Sequence, residues 1–265
     1  MLRIIFLGND ARSIRTAEII GKNDNKLITT ILQNENQLIE NYDVYVFPIP
    51  MSLDGKMLNN SNVRLNTENI IKNIPETALM LTGGKTVNSS IDIVSRDDFS
   101  YKNAVPTAEG AIALAMNSTD ITLKESKILI TGFGRVSKIL LQKLCGLCNN
   151  ITVALRKKSD MALLETLGIK VIPIEKIADN IKNYNIIFNT VPHKIFTREI
   201  LLKAHNKNLF IELASNQMGF DTEAIEELNI NYINAPGLPN KVAPITAAYI
   251  LAETIMNILE EKNLI

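Results

Sequence analysis

The sequence predicts an α/β protein made of two Rossmann-like domains with parallel sheets and a cleft between them. Three observations carry this expectation. Short apolar runs of strand character alternate with longer stretches of helical period along the whole chain, the pattern of repeated βα units. One of these strands runs directly into Gly132-Phe133-Gly134 and then into a helical pattern, which is the context a dinucleotide fingerprint requires. Finally, 265 residues is long for one core and suits two domains of ordinary size.

In the first half the expected strands are 2–7, 26–32, 43–47, 78–81 and 90–94. Their carboxyl ends carry Gly8-Asn9-Asp10-Ala11-Arg12, Pro48-Ile49-Pro50, Thr82-Gly83-Gly84-Lys85 and Arg96-Asp97. Ligands of an open parallel sheet sit beyond those ends, and glycine, proline, hydroxyl and charge are common in site loops. The Gly8 turn lacks a second spaced glycine, so this half reads as the substrate domain rather than a second nucleotide domain. Arg12, Lys85 and Arg96 are the cations it offers to a carboxylate; each, taken alone, is more often a surface charge. Pro106-Thr107-Ala108-Glu109-Gly110 precedes an alanine-rich run. Thr107 is the expected N-cap of a helix there, with Pro106 excluding helix upstream. The boundary is expected near residues 117–124, giving domains 1–118 and 119–265. The last helix, about 244–261, is amphipathic and suited to pack back on the N-terminal domain.

In the second half the expected strands are 127–131, 150–155, 170–172, 186–189, 209–212 and 231–233. Gly132 permits a tight turn, and Gly134 lets a pyrophosphate approach the backbone at a helix N-terminus begun by Arg135 and Val136. Ser137 replaces the third glycine and is small enough to keep helix and strand close. The next strand ends in Arg156-Lys157-Lys158-Ser159, where an NAD site would usually offer an acid to the ribose. Arg156 and Lys157, with Ser159 beside them, can clamp a 2′-phosphate, which favours NADP over NAD; a solvated basic turn is the other reading. Asn189-Thr190-Val191-Pro192 reaches the same sheet edge, with Pro192 as a stiff turn under the nicotinamide. Ala214 and Ser215 follow the strand beside it.

Composition excludes several classes. The 28 basic and 28 acidic residues cancel, so no overall field favours nucleic acid or an anionic membrane. The apolar opening run ends at Asn9-Asp10, short of a signal h-region or a membrane span, and the expected location is the cytoplasm. Cys145 and Cys148 form a C-x-x-C pair that on a helix would share a face. A redox or metal role stands beside the plainer reading of small apolar residues. With only two histidines in the chain, no metal site is expected.

Taken together, several segments resemble the A subunit of dipicolinate synthase. They are the stretch from Gly8 to Arg12, Arg96-Asp97-Asp98, Val105-Pro106-Thr107-Ala108-Glu109-Gly110, Gly132-Phe133-Gly134-Arg135, Asn189-Thr190-Val191-Pro192, Leu213-Ala214-Ser215, and Ala235-Pro236-Gly237-Leu238-Pro239 with Val242-Ala243-Pro244. Asn240 and Ser137 stand where the family is expected to have glycine or a similarly small residue, and His193 where a small polar residue is expected. The resemblance implies the last step of dipicolinate synthesis in a sporulating bacterium. A hydroxy-tetrahydrodipicolinate from the lysine pathway loses water, and the dihydropyridine dicarboxylate gives a hydride to NADP and becomes aromatic. It also implies a partner, the enzyme's B subunit, which resembles flavoproteins, within a homo- or hetero-oligomer, and a location in the mother cell. Under this reading Arg12, Arg96 and Lys241 are the charges for two carboxylates. Helix starts near Thr107 and near Pro244-Ile245-Thr246 would add N–H donors, and Glu109 or Asp97 is the candidate base. Two alternatives stay open. One is a 2-hydroxy acid or alanine dehydrogenase, for which His193 or Lys85 would serve as acid/base. The other is a non-catalytic NADP-binding scaffold for the B subunit.

Overall fold

The computed structural model describes residues 1–87, 89–214 and 219–265. All eleven expected strands form, with ends moved by at most two residues. Their contacts divide the chain into two units, Met1–Asn103 with Ala243–Ile265, and Ala104–Val242.

The first unit is built on β1 (Leu2–Phe6), β2 (Leu27–Ile31), β3 (Val44–Val46), β4 (Leu79–Thr82) and β5 (Ile91–Asp92), all parallel in the order β2-β1-β3-β4-β5. Alternation along the strands gives the sheet two apolar faces. Ile4, Phe6, Val44, Val46 and Leu81 pack with Ala17 and Ile20 of α1 (Ala11–Asn23) and with Leu251, Ile255 and Ile258 of the chain's last helix, α10 (Pro244–Glu261). Ile5, Leu7, Tyr45 and Phe47 pack with Ile70 of α2 (Thr67–Asn73) and with Ile74. Asp10 caps α1, its Oδ1 accepting from the N–H groups of Arg12 and Ser13 at 3.0 and 3.3 Å.

The division between the units falls elsewhere than at residue 118. The helix α3 (Asp97–Asn117) runs unbroken through Pro106, so Thr107 is buried within it rather than standing at its N-cap. Its alanine-rich part places Ala108, Ala111 and Ala115 in the core of the second unit, which is why residues from Ala104 onward belong there. The last helix lies with the first unit, where the Thr16 hydroxyl donates to the Ala248 carbonyl at 3.3 Å.

The second unit holds β6 (Ile128–Thr131), α4 (Arg135–Leu144), β7 (Ile151–Leu155), α5 (Lys158–Thr166), β8 (Lys170–Pro173), α6 (Ile177–Asn180) and β9 (Ile186–Asn189). There follow α7 (Arg198–Leu201), β10 (Leu209–Glu212), α8 (Thr222–Glu227), β11 (Tyr232–Asn234) and α9 (Leu238–Val242). The strands are parallel in the order β11-β10-β9-β6-β7-β8. Ile128, Ile130, Val153 and Phe188 face α3 and α4, while Leu129, Ala154, Ile187 and Phe210 face the other way, onto Ile177, Ile181, Leu201 and Phe220.

The cysteines do not share a helix face. The helix α4 ends at Leu144, Cys145 is its exposed C-cap, and Cys148 turns inward to donate from Sγ to the Ser126 carbonyl at 3.1 Å. Burial pushes both thiols up, the reverse of what a reactive thiolate needs. Among the described residues there is no cluster able to hold a metal ion, and no helix is long and apolar enough to cross a membrane.

Candidate functional site

Each sheet has one point at which consecutive strands leave in opposite directions, and in such sheets the crevice at that point receives ligands. In the second unit it lies between β6 and β9. There Gly132 takes φ +84°, and a Cβ on it would stand 2.7 Å from Val191 Cγ2 and 3.0 Å from Thr190 Oγ1. Gly134, the N-cap of α4, has no side-chain cap, and a Cβ on it would meet nothing within 4 Å. The glycine turn is thus tight on its inner side and open on its outer side, above a helix whose first N–H groups have no acceptor within the helix. That open, donor-rich turn fits a pyrophosphate. Ser137 is fully buried, and its hydroxyl donates to the Gly132 carbonyl at 2.7 Å. The residue at the third glycine position therefore fastens the turn as well as fitting beneath it. Arg135 and Val136 lie half-buried in the first turn of α4.

The ends of three adjacent strands are joined by side chains. The Thr131 hydroxyl donates to Asn189 Oδ1 at 2.5 Å, and the Thr190 hydroxyl donates to the Thr131 carbonyl at 2.7 Å. Asn189 Nδ2 donates to Glu212 Oε1 at 2.8 Å. Thr131, Asn189 and Glu212 are all buried. Sequence reasoning placed Asn189 and Thr190 at this edge but missed Thr131 and Glu212. An acid ending an otherwise apolar strand was the available signal. Pro192 and His193 are exposed beyond the turn, and Ala214 donates its N–H to Glu212 Oε1 at 2.9 Å. Ser215 lies outside the described residues.

On the far side of β6, β7 ends and Arg156, Lys157, Lys158 and Ser159 stand exposed at the start of α5. Lys157 lies 3.5 Å from Asp160, in a pairing open to solvent.

In the first unit the reversal lies between β1 and β3, and Arg12 spans it. Its Nη2 donates to the Ile49 carbonyl at 2.6 Å, across from the loop after β1 to the loop after β3. Arg12 is 6% exposed, and its Nε is buried without a hydrogen-bond partner. Burial pulls its pKa down, offset in part by the charge of Asp10.

The other expected cations and bases are placed differently. Arg96 is committed elsewhere: Nε and Nη2 hold Asp98 at 2.9 and 2.8 Å, and Nη1 and Nη2 hold Glu261 at 2.8 and 2.7 Å. With both carboxylates against it, Arg96 ties the start of α3 to the end of α10 and is not a spare cation. Glu109 accepts from Lys143 Nζ at 2.8 Å on the second unit, and Asp97 is exposed at the start of α3 on the first. Lys241 is exposed on α9, and Lys85 on the loop after β4. The helix start expected at Pro244 is present, with Ala243 as N-cap.

No family model matches the chain. The A subunit of dipicolinate synthase from Bacillus subtilis (strain 168) is 32% identical over 171 residues, which is 64% of this chain and 58% of that protein. The crystal structure of the corresponding A subunit from Bacillus halodurans superposes with a TM-score of 0.87 at 25% identity, covering 97% of each chain. The chain thus resembles dipicolinate synthase A subunits in sequence over part of its length and in fold over nearly all of it. The two-unit α/β plan also recurs in solved structures of other proteins. A putative D-3-phosphoglycerate dehydrogenase from Ralstonia solanacearum shares the fold with a TM-score of 0.68 at 13% identity, over 99% of this chain and 95% of that one. The sequence match to the B. subtilis protein spans less than two thirds of that protein's length.

Proposed function

We propose that the chain oxidises a dihydropyridine-2,6-dicarboxylate to dipicolinate with NADP as hydride acceptor, as the A subunit of a dipicolinate synthase working with a B subunit in the cytoplasm of a sporulating mother cell. The observation that carries this reading is Arg12. A guanidinium buried without a carboxylate partner is costly, and this one stands at the ligand-binding crevice of its sheet. An anionic ligand there supplies the missing charge, and a pyridine dicarboxylate precursor brings two. Lys85, on the neighbouring loop, is a further cation for the second carboxylate.

The cofactor, when bound, accepts the hydride. The chain's own part is to bind and orient. The Gly132–Gly134 turn and the start of α4 take the pyrophosphate, with Arg135 and Val136 beside it. Arg156, Lys157 and Ser159 would hold the 2′-phosphate, and the turn from Asn189 to Pro192, with Ala214, would hold the nicotinamide half. Aromatisation of the ring supplies driving force, so alignment of the donor and acceptor carbons is the main demand on the protein. The substrate loses a hydride to the cofactor and a proton to a base, giving the aromatic ring, reduced cofactor and one proton.

The test is to mix the chain with its B subunit, NADP and freshly prepared hydroxy-tetrahydrodipicolinate. Dipicolinate is followed by its ultraviolet absorbance and NADPH by its own. Both should rise in equal amounts. Dipicolinate formation no faster with NADP than without it would overturn the reading. Cofactor binding with no hydride transfer under any pairing would leave a non-catalytic partner in its place.

A further inference from the structure

We propose that Glu212 is a positioning residue for the nicotinamide half of the cofactor, acting through the side-chain amide of Asn189; the inference rests on the cofactor reading above. Among the described residues the charged side chains that are buried are Arg12 and Glu212, one in each unit. Glu212 is 1% exposed at the end of β10. Its Oε1 accepts from Asn189 Nδ2 at 2.8 Å and from the Ala214 N–H at 2.9 Å, and its Oε2 accepts from the Gly219 N–H at 3.2 Å. The approach is close: a Cβ on Gly219 would lie 2.4 Å from Oε2 and 1.9 Å from Asn189 Nδ2. No cation among the described residues pairs with the carboxylate. Burial accordingly pushes its pKa up, against the pull of the bonds from Ala214, Asn189 and Gly219. The one titratable group facing it from β11 is Tyr232, a phenol pushed up to about 12 by its own burial and then by the charge of Glu212.

A carboxylate used only to fill this space would be a poor choice, since an apolar residue of similar volume packs there without the desolvation cost. What the carboxylate does that an apolar residue cannot is orient an amide. An ionised carboxylate is acceptor-only, so Asn189 must turn its NH2 toward Glu212. Its Oδ1 is then left for the Thr131 hydroxyl at 2.5 Å and the Val191 N–H at 3.2 Å. The reversed amide would set acceptor against acceptor at Glu212 and donor against donor at the Val191 N–H. Glu212 thereby fixes the turn after β9, whose Val191 and Thr190 crowd Gly132. In a sheet of this order the adenosine half of a dinucleotide lies over the strands on the β7 side and the nicotinamide half over β9 and β10. Glu212 and Asn189 end those two strands.

The experiment compares binding of NADPH with binding of 2′,5′-ADP, which carries only the adenosine half, using the full chain and titration calorimetry. Glu212→Gln keeps the size but replaces one acceptor oxygen with a donor. It should weaken NADPH about tenfold and leave 2′,5′-ADP within about twofold. Thr131→Val removes the hydroxyl at the other end of the network and should shift the same ratio by about threefold. Equal loss of both ligands in Glu212→Gln, or no loss of either, overturns the positioning role while the cofactor reading stands. Should that variant not fold, Thr131→Val decides, and an unchanged ratio overturns the proposal. A wild-type chain that binds neither ligand removes the cofactor reading itself and the positioning role with it.

Discussion

Replacing Gly132 with alanine separates the cost of folding the cofactor turn from the cost of using it. The backbone there holds φ +84°, where an L side chain is strained by about 1–2 kcal/mol. The new methyl would also stand 2.7 Å from Val191 Cγ2 and 3.0 Å from Thr190 Oγ1, an overpacking worth about 1–3 kcal/mol. Together these destabilise the second unit by roughly 2–5 kcal/mol. At about 4 °C per kcal/mol for a unit of this size, Tm should fall by roughly 8–20 °C. Gly134→Ala is the matched control, because its backbone is not in the left-handed region and its Cβ would meet nothing within 4 Å. Its cost to stability is at most about 1 kcal/mol, from placing alanine at a helix N-cap. The same methyl would occupy the space a pyrophosphate needs, so NADPH affinity should fall by at least about tenfold. The chain has no tryptophan. Melting is therefore best followed by circular dichroism and calorimetry, and binding by the fluorescence of NADPH. A Gly132→Ala protein that melts within about 2 °C of wild type would refute the account of the turn. A Gly134→Ala protein that binds NADPH as wild type does would remove this turn from the cofactor site.

Three further outcomes are expected. Arg156→Glu should lower the preference for NADP over NAD by at least about tenfold, measured as the ratio of dissociation constants; an unchanged ratio means the basic turn is merely solvated. Arg12→Met should cut kcat/KM for the dicarboxylate about a hundredfold, the loss of a charged contact worth roughly 2–3 kcal/mol, with Tm little changed because the guanidinium is itself costly to bury. A fall in Tm without a fall in kcat/KM would make Arg12 structural. Arg96→Met tests the bolt between α3 and α10 through pH. Asp98 is held down to about 2, chiefly by its hydrogen bonds to Arg96, and Arg96 also depresses Glu261. Carboxylates depressed in the folded state stabilise it above their unfolded range, near pH 4, and lose that contribution as pH falls toward 2. The stability gap between wild type and Arg96→Met in urea should therefore narrow from pH 4 to pH 2, and a gap that does not change with pH would refute the assignment.

Much of this fold is legible in one dimension because a parallel sheet covered on both faces makes its strands contiguous apolar runs. Ile128-Leu129-Ile130 announces β6 without help from any partner strand, and the glycine turn is legible because its demands are local. What escapes such a reading is set by partners distant along the chain. Arg96 looks like a free cation until Glu261, 165 residues away, closes on it. Glu212 looks like an ordinary strand end until Asn189, from the neighbouring strand, meets it in the interior. Pro106 misleads for another reason. The preference against helix before proline is a bias, not a prohibition, and here the buried alanines of α3 outweigh it. Burial decides the matter for Arg12 as well, since no pattern in Gly8-Asn9-Asp10-Ala11-Arg12 says that the guanidinium is enclosed.

The hydrogen bond from Ser137 to the Gly132 carbonyl bears on how such sites are recognised. The fingerprint's third position is usually read as a need for emptiness. Here it acts as a need for short distance, met by a side chain that both fits the gap and ties it shut. A search that insists on glycine there would pass over this chain, whereas one that admits any residue small enough to lie under the turn would find it. The hydroxyl also makes the turn's shape depend on a bond that a methyl cannot make, so serine and alanine, interchangeable by volume, are not interchangeable in how firmly they hold the loop.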